Sequence, residues 1–177
     1  MSLSALGLTA GSLGLLKTKS ALAASADELQ ARWRNFLPGD FQAPAPLPRL
    51  SKEADAWRGQ LPTEAFEVLF KEDTERPFTS HLNDEKRAGL YVCRACDLPL
   101  FTSEMKYDSG TGWPSFFTTV PEHFETKTDY KLIWPRTEYH CIRCGGHQGH
   151  VFDDGPAPTG QRWCNNGVAL RFVPSAS

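Results

Sequence analysis

Apolar positions change their spacing near residue 89, and the change separates a helical approach from a strand-rich body. Between Pro62 and Lys71, Ala65, Phe66, Val68, Leu69 and Phe70 form an apolar face behind a Pro-Thr-Glu start. That spacing predicts a helix of about ten residues packed on the main sheet. A shorter helix is expected from Asp27 to Phe36. Pro38, Pro44, Pro46 and Pro48 follow it, and prolines this close together keep a chain extended, so the segment reads as a stiff linker or a strap over the domain. From Gly89 onward β-branched and aromatic residues are punctuated by Gly, Pro, Asn and Asp, the texture of short strands and turns. Leu90-Tyr91-Val92, Phe124 to Thr128, Tyr139 to Ile142 and Ala169 to Val173 are the predicted strands. Trp134-Pro135-Arg136 reads as a turn, and His147-Gln148-Gly149-His150 as a glycine-flexed loop. The pattern predicts a mainly β, α+β domain over residues 61–177, a helix and Pro-rich strap over 27–60, and a leader over 1–26.

The leader points to export. From Leu3 to Leu16 the chain is small, apolar and uncharged, and Ala21-Leu22-Ala23 has the small-x-small form that signal peptidase accepts. No Lys or Arg precedes the apolar run, and Lys17 and Lys19 stand between it and the cleavage site. A periplasmic protein is therefore expected, with a cytoplasmic protein bearing an N-terminal extension as the alternative. No uncharged apolar run reaches the roughly 18 to 20 residues that a membrane-spanning helix requires. The net charge is −2, with acidic and basic residues mixed throughout, which argues against nucleic acid or an anionic membrane as partner.

Five cysteines cannot all pair, and a 177-residue chain can build a full core without disulfide staples. Cys93-Arg94-Ala95-Cys96 and Cys141-Ile142-Arg143-Cys144 share the spacing that lets two thiolates of one tight turn converge on a tetrahedral ion. Two such turns complete four-coordination and leave no open position, so they point to one structural zinc per chain. Two disulfides or a thioredoxin-like redox pair are the alternatives. The two turns lie too far apart for a small finger and are expected to close the whole β domain. Cys164 is then the remaining thiol. A lone cysteine is commonly a small core residue, but Arg162 beside it favours a thiolate, and the amides of Asn165 and Asn166 can orient a polar group. His147 and His150 can serve in acid–base work near neutral pH. Gly110-Thr111-Gly112-Trp113-Pro114 can present the Trp113 indole as the wall of an apolar pocket.

Taken together, Gly110 to Phe116, the paired knuckles, Cys144-Gly-Gly-His-Gln-Gly-His-Val-Phe152, Asp154-Gly-Pro156, Pro158-Thr-Gly160 and Arg162-Trp-Cys-Asn-Asn166 resemble the type B methionine sulfoxide reductases, from about Glu64 to Pro174. The resemblance implies two small antiparallel sheets with short N-terminal helices, a structural four-cysteine zinc site far from the active site, and reduction of the R epimer of methionine sulfoxide in proteins. It implies Cys164 as the nucleophile, Trp113 as the wall against the substrate methyl group, and His147 and His150 as the polar groups around the sulfoxide oxygen, with Asn166 orienting them. Arg162 and Phe152 complete the expected substrate pocket. Thr111 stands where many members carry a recycling cysteine, so a one-cysteine enzyme is expected, regenerated by an external thiol such as thioredoxin or glutaredoxin. Trp163 and Asn165 also depart from the family pattern and are expected to alter the pocket. A monomer is expected. The alternative from another class is a non-catalytic zinc-bound β domain that binds peptides or small ligands.

Overall fold

Two short helices precede the strands. The structure, a computed structural model, describes residues 24–130 and 134–175; the expected leader, except for its last residues, lies outside them. α1 (Ala26–Ala31) opens with a reciprocal cap in which Ser25 and Glu28 satisfy each other's backbone N–H groups. The chain tightens at Arg32 into a 3₁₀ turn over Trp33–Phe36, so the expected first helix ends earlier and changes type. The proline strap then runs extended across the domain: Leu50 donates its N–H to the Arg143 carbonyl, and Arg49 pairs with Glu125. α2 (Thr63–Lys71) is the helix expected there, with Ala65, Phe66, Val68 and Leu69 buried.

The strands are β1 (Gly89–Cys93), β2 (Pro99–Thr102), β3 (Lys106–Tyr107), β4 (Ser115–Phe116), β5 (Phe124–Asp129), β6 (Arg136–Cys141), β7 (His147–Phe152), β8 (Arg162–Asn165) and β9 (Leu170–Pro174). They form a three-stranded sheet in the order β2-β1-β9 and a six-stranded sheet in the order β3-β4-β8-β7-β6-β5. The pairings are antiparallel. Aromatic side chains fill the space around the sheets. Phe101 stacks on Phe116 at 3.9 Å, and Tyr91, Phe124, Tyr139 and Trp163 join them edge-on or tilted.

Two sequence expectations need correction. His147 to His150 is strand, not loop; the turn lies before it, over residues 142–144, and Gly145 closes it with its N–H on the Cys141 carbonyl. Gly149 belongs to the strand because a Cβ there would run into the Cys164 carbonyl oxygen, so its bareness lets β7 and β8 approach closely. Trp163 does not shape the pocket directly. Strand alternation turns it to the opposite face from Cys164, against Tyr139 and Phe124. Asn165, by contrast, is buried at the cleft and accepts a 2.8 Å hydrogen bond from the Tyr139 hydroxyl.

Candidate active site and metal centre

β8 lies in the middle of the six-stranded sheet, and its alternation puts Arg162 and Cys164 on one face. Antiparallel register then decides their neighbours. Cys164 stands opposite His150 of β7 on one side and Ser115 of β4 on the other; Arg162 stands opposite Phe152. Directly opposed side chains in such a ladder have Cβ atoms about 5 Å apart. The next strand continues the row, with Glu138 of β6 opposite His150 and Lys127 of β5 opposite Glu138. A cleft of about 250 Å³ opens over this face, lined among others by Thr111, Trp113, His150, Phe152, Arg162 and Cys164.

Burial pushes the Cys164 thiol up from its ordinary range, because a thiolate loses hydration there; the Arg162 guanidinium, and hydrogen bonds from Thr111 and Arg162, pull it back part of the way. The direction expected of Arg162 is thus present but outweighed. Arg162 is fixed by a two-pronged pair with Asp154 at 2.8 and 2.9 Å and lies over the Phe152 ring at 4.2 Å. His150 Nε2 sits 3.0 Å from Asp129 Oδ2, an oxygen that also accepts from Arg136. Since a carboxylate only accepts, this contact assigns the proton to Nε2. His147 stands one ring behind His150, with centroids 5.4 Å apart, buried beside Glu138 and not on the cleft wall.

Trp113 is held from an unexpected quarter. Its indole N–H donates to the Glu75 carbonyl at 3.1 Å, while the Glu75 backbone N–H donates to Asn166 Oδ1. The Asn166 amide N–H₂ in turn donates to the Gln148 carbonyl, so Asn166, at the cleft edge, ties β7, β8 and the Glu75 loop together. The buried Glu75 carboxylate accepts from the Gly167 and Val168 N–H groups. Burial raises its pKa against those hydrogen bonds.

The cysteine turns converge at the other end of the sheet. Each is built alike: the residue after the second cysteine, Asp97 or Gly145, has positive φ and donates its N–H to the carbonyl of the first, at 2.9 and 2.8 Å. The four sulfurs are free, lie within 4.8 Å of one another, and approach to 3.5 Å in the pairs Cys93–Cys144 and Cys96–Cys141. A disulfide needs about 2.05 Å, whereas sulfurs bound at about 2.3 Å around a tetrahedral zinc stand about 3.8 Å apart. Sulfur–sulfur hydrogen bonds, that with Cys141 foremost, hold Cys96 far below the ordinary thiol range and push Cys93 well above it. Such a cluster, with N–H groups of Gly146 and Gln148 also aimed at its sulfurs, suits a cation shared by four thiolates.

A family profile for the SelR domain matches residues 61–174. The chain is 50% identical over 127 residues to the peptide methionine sulfoxide reductase MsrB of Hahella chejuensis, covering 71% of this chain and 91% of that protein. MsrB proteins of Pseudomonas putida strain W619 and Methanosarcina barkeri are 48% and 45% identical, over 72% and 70% of this chain and 97% and 87% of their own lengths. The chain belongs to the type B methionine sulfoxide reductases. Membership decides for an enzyme, an oxidoreductase, over a non-catalytic binding domain. In this reductase the fold brings Trp113, His150, Phe152, Arg162, Cys164 and Asn166 around one cleft and keeps His147 one layer deeper. The sequence reading missed Glu75, Asp129, Arg136 and Glu138. Asp129 and Arg136 are cross-strand partners, a signal present only once the β5–β6 register is known. Glu75 sits in a charged run, Lys71-Glu72-Asp73-Thr74-Glu75-Arg76, where nothing distinguishes it from solvated neighbours.

Proposed function

We propose that this chain reduces the R epimer of methionine sulfoxide in proteins through Cys164, within a reductase domain over residues 61–177 that the 27–60 strap braces. Supporting the reading is one observation above the rest: Cys164 shares a cleft with His150 and Trp113, while the other four thiols are gathered elsewhere. Trp113 forms the apolar wall for the substrate methyl group, with Phe152 and Arg162 shaping the remainder. His150, backed by His147, turns its Nε2–H from Asp129 to the sulfoxide oxygen, hydrogen-bonding it and passing it a proton. The Cys164 thiolate attacks the sulfoxide sulfur as the protonated oxygen leaves as water; water then attacks Cys164 Sγ, the new sulfur–sulfur bond breaks with its electron pair going to methionine, and Cys164 is left as a sulfenic acid.

Regeneration needs an outside thiol. From the sheet spacings, Cys141 lies three residues along and two strands across from the Cys164 row, on the order of 14 Å, against the 4.4 to 6.8 Å between Cα atoms that a disulfide tolerates. An external thiol, from thioredoxin, or glutathione with glutaredoxin, attacks the sulfenic sulfur and releases water; a second thiol then frees Cys164 as the reductant is oxidised. Zinc, when bound by Cys93, Cys96, Cys141 and Cys144, holds the two sheets together and takes no part in the reaction. We assign the working state as a monomer. With dithiothreitol as reductant, the protein should turn over peptide methionine-R-sulfoxide and leave the S epimer untouched, and Cys164→Ser with its metal retained should lose the activity. Equal use of both epimers, or undiminished activity in Cys164→Ser, would refute the assignment.

A further inference from the structure

We propose that Glu138, His140 and His147 form a second metal site, which takes one divalent transition cation with zinc the best fitted, and that its occupation slows the reductase. His140 lies two residues from Glu138 on β6, hence on the same face, and pairs with His147 of β7. Glu138 Oε1 is 3.3 Å from His140 Nε2, and Glu138 Oε2 is 3.4 Å from His147 Nδ1; one donor atom from each of the three residues falls within a 4.8 Å cluster. Nitrogen and oxygen ligands at 2.0 to 2.1 Å around a tetrahedral ion stand about 3.4 Å apart, so the two carboxylate–imidazole contacts are already near that spacing, and the three-donor set, within 4.8 Å, has only to draw in to close on one ion. All three side chains are more than nine-tenths buried.

The hydrogen bonding of His140 points the same way. Its Nδ1 faces the Gly145 carbonyl at 3.1 Å, and a carbonyl can only accept, so Nδ1 carries the proton. Nε2 of the neutral ring then offers a lone pair. That atom is buried without a hydrogen-bond partner and faces a carboxylate oxygen, an acceptor against an acceptor. A cation between them turns the contact from repulsive to favourable. A backbone carbonyl on the far nitrogen is also the usual orienting partner of a metal-binding histidine. There is a way in: His140 and Gly145 line a surface pocket of about 380 Å³ together with Glu72 and Glu125, whose carboxylates pair with Lys127 and Arg49 of the same lining.

Lys127 is the competitor. Its ammonium lies 2.7 Å from Glu138 Oε1 and also pairs with Glu72, and its side chain is half exposed, so it can withdraw toward Glu72 when a metal enters. The link to the cleft rests on the catalytic reading above: His147 packs against His150, so a metal that fixes His147 and engages Glu138 stiffens the group that donates the proton.

Cobalt(II), titrated into protein already holding one zinc per chain, is the probe. One further equivalent should bind with ligand-field bands and without thiolate-to-cobalt charge transfer, and zinc should displace it. His140→Gln should weaken this binding at least about tenfold while keeping the first zinc and the basal activity, and Lys127→Ala should tighten it. Excess zinc should inhibit the wild type at concentrations that leave His140→Gln unaffected. A bound equivalent indifferent to His140→Gln, a thiolate charge-transfer band, or no second equivalent at all would overturn the site; binding without inhibition would overturn its link to the cleft. Basal activity without added metal reports separately on the catalytic reading.

Discussion

Burial raises the Cys164 thiol above its ordinary range while Arg162 and Thr111 pull against it. Attack requires the thiolate, whose share grows as pH rises through the folded-state pKa. On this account kcat/KM climbs from neutral into alkaline pH, and Arg162→Gln, which deletes the attractive charge, moves the climb to still higher pH. Each unit of displacement costs about tenfold at neutral pH, where kinetics in a series of buffers would read it; a profile that stays in place, or moves to lower pH, would count against the role given to Arg162. Much of this was legible at the residue scale, because positions 162 and 164 must share a face of any strand. The outcome was not. Whether a guanidinium or desolvation prevails depends on depth in the fold, which no adjacent letters encode. Glu75 makes the same point, since its importance comes from where the Lys71–Arg76 segment is laid down, against β8 and the following 3₁₀ turn.

Among elements, the knuckles were read most completely, because two Cys-x-x-Cys turns carry their geometry in their own spacing. Both turns fold alike, one closing β1 and the other β6, so they join the two sheets. Cys93→Ser should therefore release the metal and cost several kcal/mol of stability, on the order of 3 to 5, measured as zinc content together with denaturant unfolding. Full stability without metal would contradict the structural role. β7 was misread because Gly149, close after Gly145 and Gly146, suggests a loop, whereas Gly149 serves a close approach between strands. Glu75→Ala should destabilise by about 2 to 3 kcal/mol, since it takes the acceptor from the buried Gly167 N–H and the part-buried Val168 N–H, and should raise KM as the Glu75 carbonyl that holds the Trp113 indole shifts. A change in stability with KM untouched would separate Glu75 from the Trp113 wall.

At the scale of the molecule, the chain divides its cysteines between two places, four where strands of both sheets meet and one in the polar row Lys127, Glu138, His150, Cys164, Ser115. The strand-rich class and the N-terminal helices followed from apolar spacing; the two-sheet arrangement rested on family resemblance. Strand order stayed hidden because β8, late in sequence, inserts between β4 and β7, and local patterns do not report such long-range pairing. The row from Glu138 to Cys164 exists only after that insertion. The most direct measurement of the account exposes zinc-loaded protein to methionine-R-sulfoxide without reductant, adds a sulfenic-acid trap such as dimedone, and maps the product by mass spectrometry. A single adduct on Cys164, with one methionine formed per chain, is the predicted result; a disulfide joining Cys164 to a knuckle cysteine, or an adduct on any other residue, would contradict it.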